Sequence, residues 1–168
     1  SIKDRLEVIS PTQIKSLIKS TCEGMGEKFA SEDAITLIHE TGVVESGYKY
    51  LRQLGDGPAK SFWQIEPLSA VDNLQHYLKH RKSLMLRCAM VSMIDLKHWQ
   101  NNDERLWANI LEKNISAAIV HCRIKYWRVP KPMPNTLEGR SFYWKKYYNT
   151  DQGKGTTEKY IDTVKEYL

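Results

Sequence analysis

Residues 39–67 read HETGVVESGYKYLRQLGDGPAKSFWQIEP, and the fold class turns on the change of pattern inside this stretch. Upstream of Glu45 the apolar positions Ala34, Ile35, Leu37, Ile38, Thr41 and Val44 line one helical face. That helix starts at Ser31, where Glu32 and Asp33 suit the positive end of its dipole, and it runs out near Glu45. From Ser46 onward Gly47, Gly55, Gly57 and Pro58 break any long helix, and Phe62, Trp63 and Ile65 form a short apolar segment. Residues 46–66 therefore hold at most a short β-hairpin. After Pro67 helical spacing returns with Val71, Leu74, Tyr77 and Leu78.

Working outward, the same helical punctuation recurs. Ser10, Pro11 and Gln13 form a capping-box start, followed by Ile14, Leu17, Ile18 and Cys22 on one face and by Gly24 and Gly26 as a stop. A helix is predicted over 83–99. Asn101, Asn102 and Asp103 then supply a break and a new cap before Leu106, Trp107, Ile110 and Leu111. Residues 115–127 read as a buried helix ending at Val129 and Pro130. Lys131-Pro132-Met133-Pro134 is extended, because alternate prolines forbid a helix. Thr136 caps a helix carrying Phe142, Trp144, Tyr147 and Tyr148, a turn covers 149–155, and Thr156 or Thr157 caps a terminal helix. No period-2 run is sustained, so the fold is mainly α.

The chain has 168 residues, 41% hydrophobic and 27% charged, with 9 Gly and 6 Pro. These values fit one globular domain over 1–168 and exclude disorder, collagen-like repeats and a solenoid. No apolar run approaches the roughly 18–20 residues of a membrane span. Lys3, Asp4 and Arg5 precede any apolar stretch, so no signal peptide is expected. Twenty-five basic against 20 acidic residues give a net charge of +5, which favours approach to any polyanion without choosing among them. Cys22, Cys88 and Cys122 are odd in number and form no C-x-x-C pair, which predicts reduced, buried thiols of a protein made in a cytoplasm.

Glu45 is the residue with the strongest chemical promise. A carboxyl at the end of an apolar helix face can be partly desolvated by Val44 and by aromatic neighbours, which raises its pKa and keeps it protonated near neutral pH. Such an acid can protonate the leaving oxygen of a glycosidic bond. From the residues alone, a solvated glutamate at a fraying helix end is the plainer alternative. Other signals are weaker. His39-Glu40 begins a zinc-protease pattern, but Val43 stands where its second histidine belongs. His76 and His80, four apart on one helix, lack a third ligand, so no metal or other cofactor is expected. Residues 153–156 end like a phosphate-binding loop but lack its spacing. Residues 142–148 mix aromatic and basic side chains, as a sugar-stacking or nucleic-acid surface would, and an amphipathic helix with snorkelling lysines explains them equally well.

Glu45-Ser46-Gly47, followed by Gly57-Pro58-Ala59-Lys60-Ser61-Phe62-Trp63-Gln64-Ile65-Glu66-Pro67, resembles the first two motifs of the lytic transglycosylase family. That family opens its site with Glu-Ser at a helix end and continues with Gly-Ala-x-Gly-Leu-Met-Gln-Ile-x-Pro. Gln64 follows Glu45 by 19 residues, within about one residue of the family spacing. More closely, the chain resembles uncharacterised lysozyme-like proteins of tailed bacteriophages, which share the patterns at 123–130 and 148–156. The likeness covers residues 30–160, leaving 1–29 as an N-terminal helical region.

The resemblance implies a two-lobed, lysozyme-like helical fold and an enzyme that degrades peptidoglycan at the MurNAc–GlcNAc β-1,4 bond. It implies that Glu45 is the general acid/base, that Ser46 holds that carboxyl or the substrate, and that Gln64 hydrogen-bonds sugar or Glu45. Trp63 joins Gln64 in the substrate-binding set. Ser61 departs from the family by replacing a glycine, and the third motif, Ala-Tyr-Asn-Ala-Gly, is absent as written. The helix around Ala117 and Ala118 lies where that motif is expected, with Arg123 or Tyr126 able to face the cleft; Tyr148-Asn149 is a second candidate. A lytic transglycosylase needs one carboxylate, whereas an inverting muramidase needs another to activate water. Asp56, Glu66 and Asp72 are the acids that follow Glu45 closely in sequence; Asp56 is the foremost candidate for that role, Glu66 reads as the start of a helix, and the one-carboxylate mechanism is preferred. Glycan strands and other virion proteins are the implied partners, with the protein delivered to the wall from the virion or from the host cytoplasm. A nucleic-acid partner rests only on charge. A non-catalytic virion protein that keeps the fold is the alternative.

Overall fold

The computed structural model describes residues 9–149 and 153–168. Residues 1–8, on which the expectation about a signal peptide rests, and the centre of the turn predicted over 149–155 lie outside the described residues. Among the described residues nine α-helices alternate with short turns: α1 (Pro11–Met25), α2 (Glu32–Ser46), α3 (Pro67–His76), α4 (Lys82–Ser92), α5 (Leu96–Trp99), α6 (Glu104–Lys113), α7 (Ile115–Trp127), α8 (Leu137–Trp144) and α9 (Thr157–Tyr167). The fold is mainly α, and none of these helices is long and apolar enough to cross a membrane.

The caps fall where the sequence puts them. Ser10 Oγ accepts from the Gln13 amide at 3.4 Å, Ser31 Oγ from Ala34 at 3.2 Å, and Thr156 Oγ1 from Lys159 at 3.1 Å. Each satisfies an amide that the first helical turn leaves without an intrahelical partner. α7 is the axis of the molecule. It packs against α1, α2, α3, α4 and α6, and Ala117 through Ile124 are all buried. A helix apolar on every side is stable only when surrounded in this way.

Two predicted helices are divided. Within 83–99 the chain breaks after Ser92, where Met93 takes a left-handed conformation (φ 58°) and Asp95 caps the single turn α5. The break swings Trp99 back, so that its indole N–H donates to Ser92 Oγ at 3.2 Å in the core. His76 and His80 do not share a helix, because α3 ends at His76 and His80 lies in the 3-10 turn Leu78–His80. The 46–66 region forms no strand, only the antiparallel bridges Arg52–Lys60 and Lys60–Ile65. The three cysteines are free and buried, and desolvation pushes the thiols of Cys22 and Cys88 up to about 11 and about 12.

α9 packs on both α2 and α8, and α8 reaches α2 through side-chain bonds. Their tie is polar: the buried carboxylate of Glu40 accepts from Arg140 Nε at 2.7 Å, from Arg140 Nη2 at 2.9 Å and from the Tyr160 hydroxyl at 2.8 Å. The His39-Glu40 pair is thus part of the scaffold. Desolvation lowers the His39 imidazole to about 4, and Glu40 is spent on Arg140.

Candidate active site

α2 delivers Glu45 to its place because the chain doubles back directly after it. Tyr48 (φ 56°) lays its ring against Gly42, where a Cβ would overlap the ring, and its hydroxyl donates to the His39 carbonyl at 2.7 Å. Ser46 Oγ donates to the Gly42 carbonyl at 3.0 Å and accepts from the Tyr48 amide at 3.0 Å. A glycine inside a helix costs about 1 kcal/mol, and here it makes room for the ring that fixes the helix end.

The loop that follows is pinned from both sides. Trp63 is fully buried and its indole N–H donates to the Ile38 carbonyl on α2 at 2.9 Å. Ser61 and Gln64 both adopt left-handed conformations, at φ 73° and 49°. At Ser61, the position where the resemblance expects glycine, the backbone is in the region that glycine favours. The serine offsets the strain by accepting from the Trp63 amide at 3.1 Å. Gln64 Nε2 donates to the Ser61 carbonyl at 2.9 Å, which orients the side chain toward an open cavity.

That cavity, of about 480 Å³, is lined by Glu45, Gln53, Gln64, Glu66, Lys125, Tyr148 and Asn149. Glu45 and Gln64, 19 residues apart in sequence, therefore meet in one place. Glu45 Oε2 accepts from the Trp144 indole N–H at 3.0 Å. Burial pushes the Glu45 carboxyl up to about 7; the Trp144 hydrogen bond and the Lys125 charge oppose that rise without overcoming it. Lys125 is itself pushed down by burial, with Cys122, Glu45 and Glu66 opposing the shift. Its ammonium lies 4.4 Å from the centre of the Tyr148 ring and donates to the Tyr148 carbonyl at 3.4 Å. The Tyr148 hydroxyl donates to the Trp63 carbonyl at 2.5 Å, closing the wall between the two halves of the site.

The chemistry available is that of a carboxylic acid protonated near neutral pH, in a cavity whose walls carry amide, ammonium and carboxylate groups. Amides that both donate and accept suit hydroxyl and N-acetyl groups.

Other expected site residues lie elsewhere. Ser46 is buried with its hydroxyl committed to backbone, so it holds the helix end and does not face the cavity. Trp63 is core and touches the site only through its carbonyl. Arg123 is buried, with Nε donating to the Phe29 carbonyl at 2.8 Å and its guanidinium 5.2 Å from the Trp127 ring. Tyr126 is buried, bonded to Thr41 Oγ1 at 2.8 Å and stacked 5.2 Å from Tyr148. Neither reaches the cleft; the side chain that α7 sends there is Lys125. Asp56 (φ 63°) sits in an exposed turn on a different concavity, beside Leu54 and Glu112. Tyr148 and Asn149 do line the cavity. The residues not anticipated are Trp144, Lys125 and Gln53, together with Glu66 as a cavity wall. The mixed 142–148 segment hinted at Trp144, but as an open stacking surface, whereas of its aromatic residues Tyr143, Trp144 and Tyr148 are buried and only Phe142 is well exposed.

Compared with protein-family models, with curated proteins and with solved structures, the chain matches none of them.

Proposed function

We propose that the protein cleaves the β-1,4 bond between MurNAc and GlcNAc in peptidoglycan, with Glu45 as the general acid. The observation that carries this reading is the shared cavity. A glutamate holding its proton up to about pH 7 opens beside Gln64, at the spacing at which the sequence resembles lytic transglycosylase motifs. Glu45 donates its proton to the glycosidic oxygen as the C1–O bond breaks, and the electron pair of that bond stays with the leaving oxygen. Trp144 orients the carboxyl through Oε2; with Gln64 Nε2 bonded to the Ser61 carbonyl, Gln53 Oε1 to the Ala59 amide and Asn149 Oδ1 to the Lys145 ammonium, the remaining half of each amide reads an aminosugar. In this role the protein is a phage wall-degrading enzyme, acting from the virion or at lysis, and the charge of +5 favours its hold on an anionic wall.

The test is clearing of a suspension of purified peptidoglycan. Wild type clears it, and Glu45→Gln, which removes the proton but keeps the shape, is slower by 100-fold or more, about the worth of a general acid. Equal clearing by both removes Glu45 from the mechanism. If neither clears the wall, the protein is the non-catalytic virion component of the alternative reading.

A further inference from the structure

Resting on the reading of Glu45 as the acid, we propose that Glu66 is the base that activates water on the opposite face of the sugar, making the reaction an inverting hydrolysis. The sequence favours a one-carboxylate mechanism and offers Asp56 as the partner if a second acid is used. The structure moves Asp56 to another concavity and puts Glu66 on the wall of the cavity that Glu45 opens into. Among the described residues, Glu45 and Glu66 are the carboxylates lining that cavity.

Glu66 is placed there by its neighbours. Ile65 turns into the core, so Gln64 before it and Glu66 after it are left to line the cavity. Pro67, at the first position of α3, fixes the exit of the chain. Glu66 stands at the N-cap of α3 with extended backbone (φ −73°, ψ 139°), yet its side chain makes no capping bond. The role that its position suggests from sequence, a helix start, is therefore not what its carboxylate does. The exposed side chain sits at the N-terminal end of α3, and Lys125 feels both Glu45 and Glu66.

This pairing divides two roles between unlike environments. Glu45 is enclosed against Trp144, while Glu66 is open to water, the arrangement that sets an acid against a base. An inverting site needs its carboxyls about 6.5–9.5 Å apart, with water between the base and the sugar. Glu45 and Glu66 both line one cavity of about 480 Å³. In the step, Glu45 gives its proton to the leaving oxygen as the C1–O bond breaks. Water forms the new bond to C1 and loses a proton to the Glu66 carboxylate. Solvent then returns a proton to Glu45 and takes one from Glu66, so the net change is one water consumed per bond cleaved.

Digestion of peptidoglycan in heavy-oxygen water, followed by mass spectrometry of the released muropeptides, tests this. Wild type is expected to give reducing-end products carrying the heavy oxygen. Glu66→Gln is expected to form them at least 100-fold more slowly, while its thermal midpoint stays that of wild type because the side chain is exposed and unbonded. Products that are only 1,6-anhydro sugars, or an unchanged rate in Glu66→Gln, overturn the role of Glu66 and leave cleavage by Glu45 standing. No product from wild type overturns both.

Discussion

At the scale of the residue, Glu45 makes a prediction about stability that is independent of any substrate. Its folded pKa is raised from the ordinary 4.5 to about 7, chiefly by burial. The contribution of the neutral carboxyl is thus complete below about pH 4.5 and is lost as the pH rises through about 7. At about 1.4 kcal/mol per tenfold change in proton affinity, the loss is roughly 3 kcal/mol. Glu45→Gln carries no such loss. Urea unfolding should find the variant and wild type alike at pH 4, and the variant more stable by roughly 3 kcal/mol at pH 8. Equal stability at both pH values would mean that Glu45 is solvated. Glu45 and Gln64 were legible as a pair in sequence because both belong to one motif pattern. Trp144 was not, since it meets Glu45 from 99 positions away and only the packing of α8 brings it there. On α7, Arg123 and Tyr126 are buried in the core, whereas Lys125, on another face of the same helix, lines the cavity.

At the scale of the element, the end of α2 depends on Gly42. A methyl group there must push the Tyr48 ring away, and with it the bond to the His39 carbonyl and the neighbouring Ser46 bonds. Gly42→Ala is expected to destabilise the fold by about 1–3 kcal/mol despite the better helix propensity of alanine. Thermal unfolding checks it; a gain in stability would show that the close approach of Tyr48 does not constrain the helix. In sequence Gly42 looks like an unremarkable helical glycine, because the ring that requires it lies beyond the helix end. The division of 83–99 was hidden for a similar reason. Met93 is apolar and continues the helical pattern, yet it is 93% exposed in a left-handed turn. The competing pull is tertiary, from Trp99 folding back onto Ser92.

At the scale of the whole molecule, α8 and α9 reach α2 through Glu40, Arg140 and Tyr160. Removing one partner of a buried ion pair strands the other, so Arg140→Met is expected to cost about 3–5 kcal/mol. Because the pair is buried, added salt should recover little of that loss; a loss that salt abolishes would mark a surface pair instead. The same variant tests whether the α8 wall carries the acid, since Trp144 rides on α8. Helix positions, caps and the buried character of α7 followed from periodicity, and a mainly α chain was plain from the lack of period-2 runs. Long-range polar ties such as Glu40–Arg140 leave no local trace, and His39-Glu40 had drawn notice only as a failed metal motif. The most direct test of Glu45 as the acid is the pH profile of muropeptide release from purified peptidoglycan. Release should fall as the pH rises through about 7, where Glu45 loses its proton, and should be nearly absent at every pH in Glu45→Gln. A rate that stays level well above pH 7, or a variant that matches wild type, would contradict Glu45 as the acid.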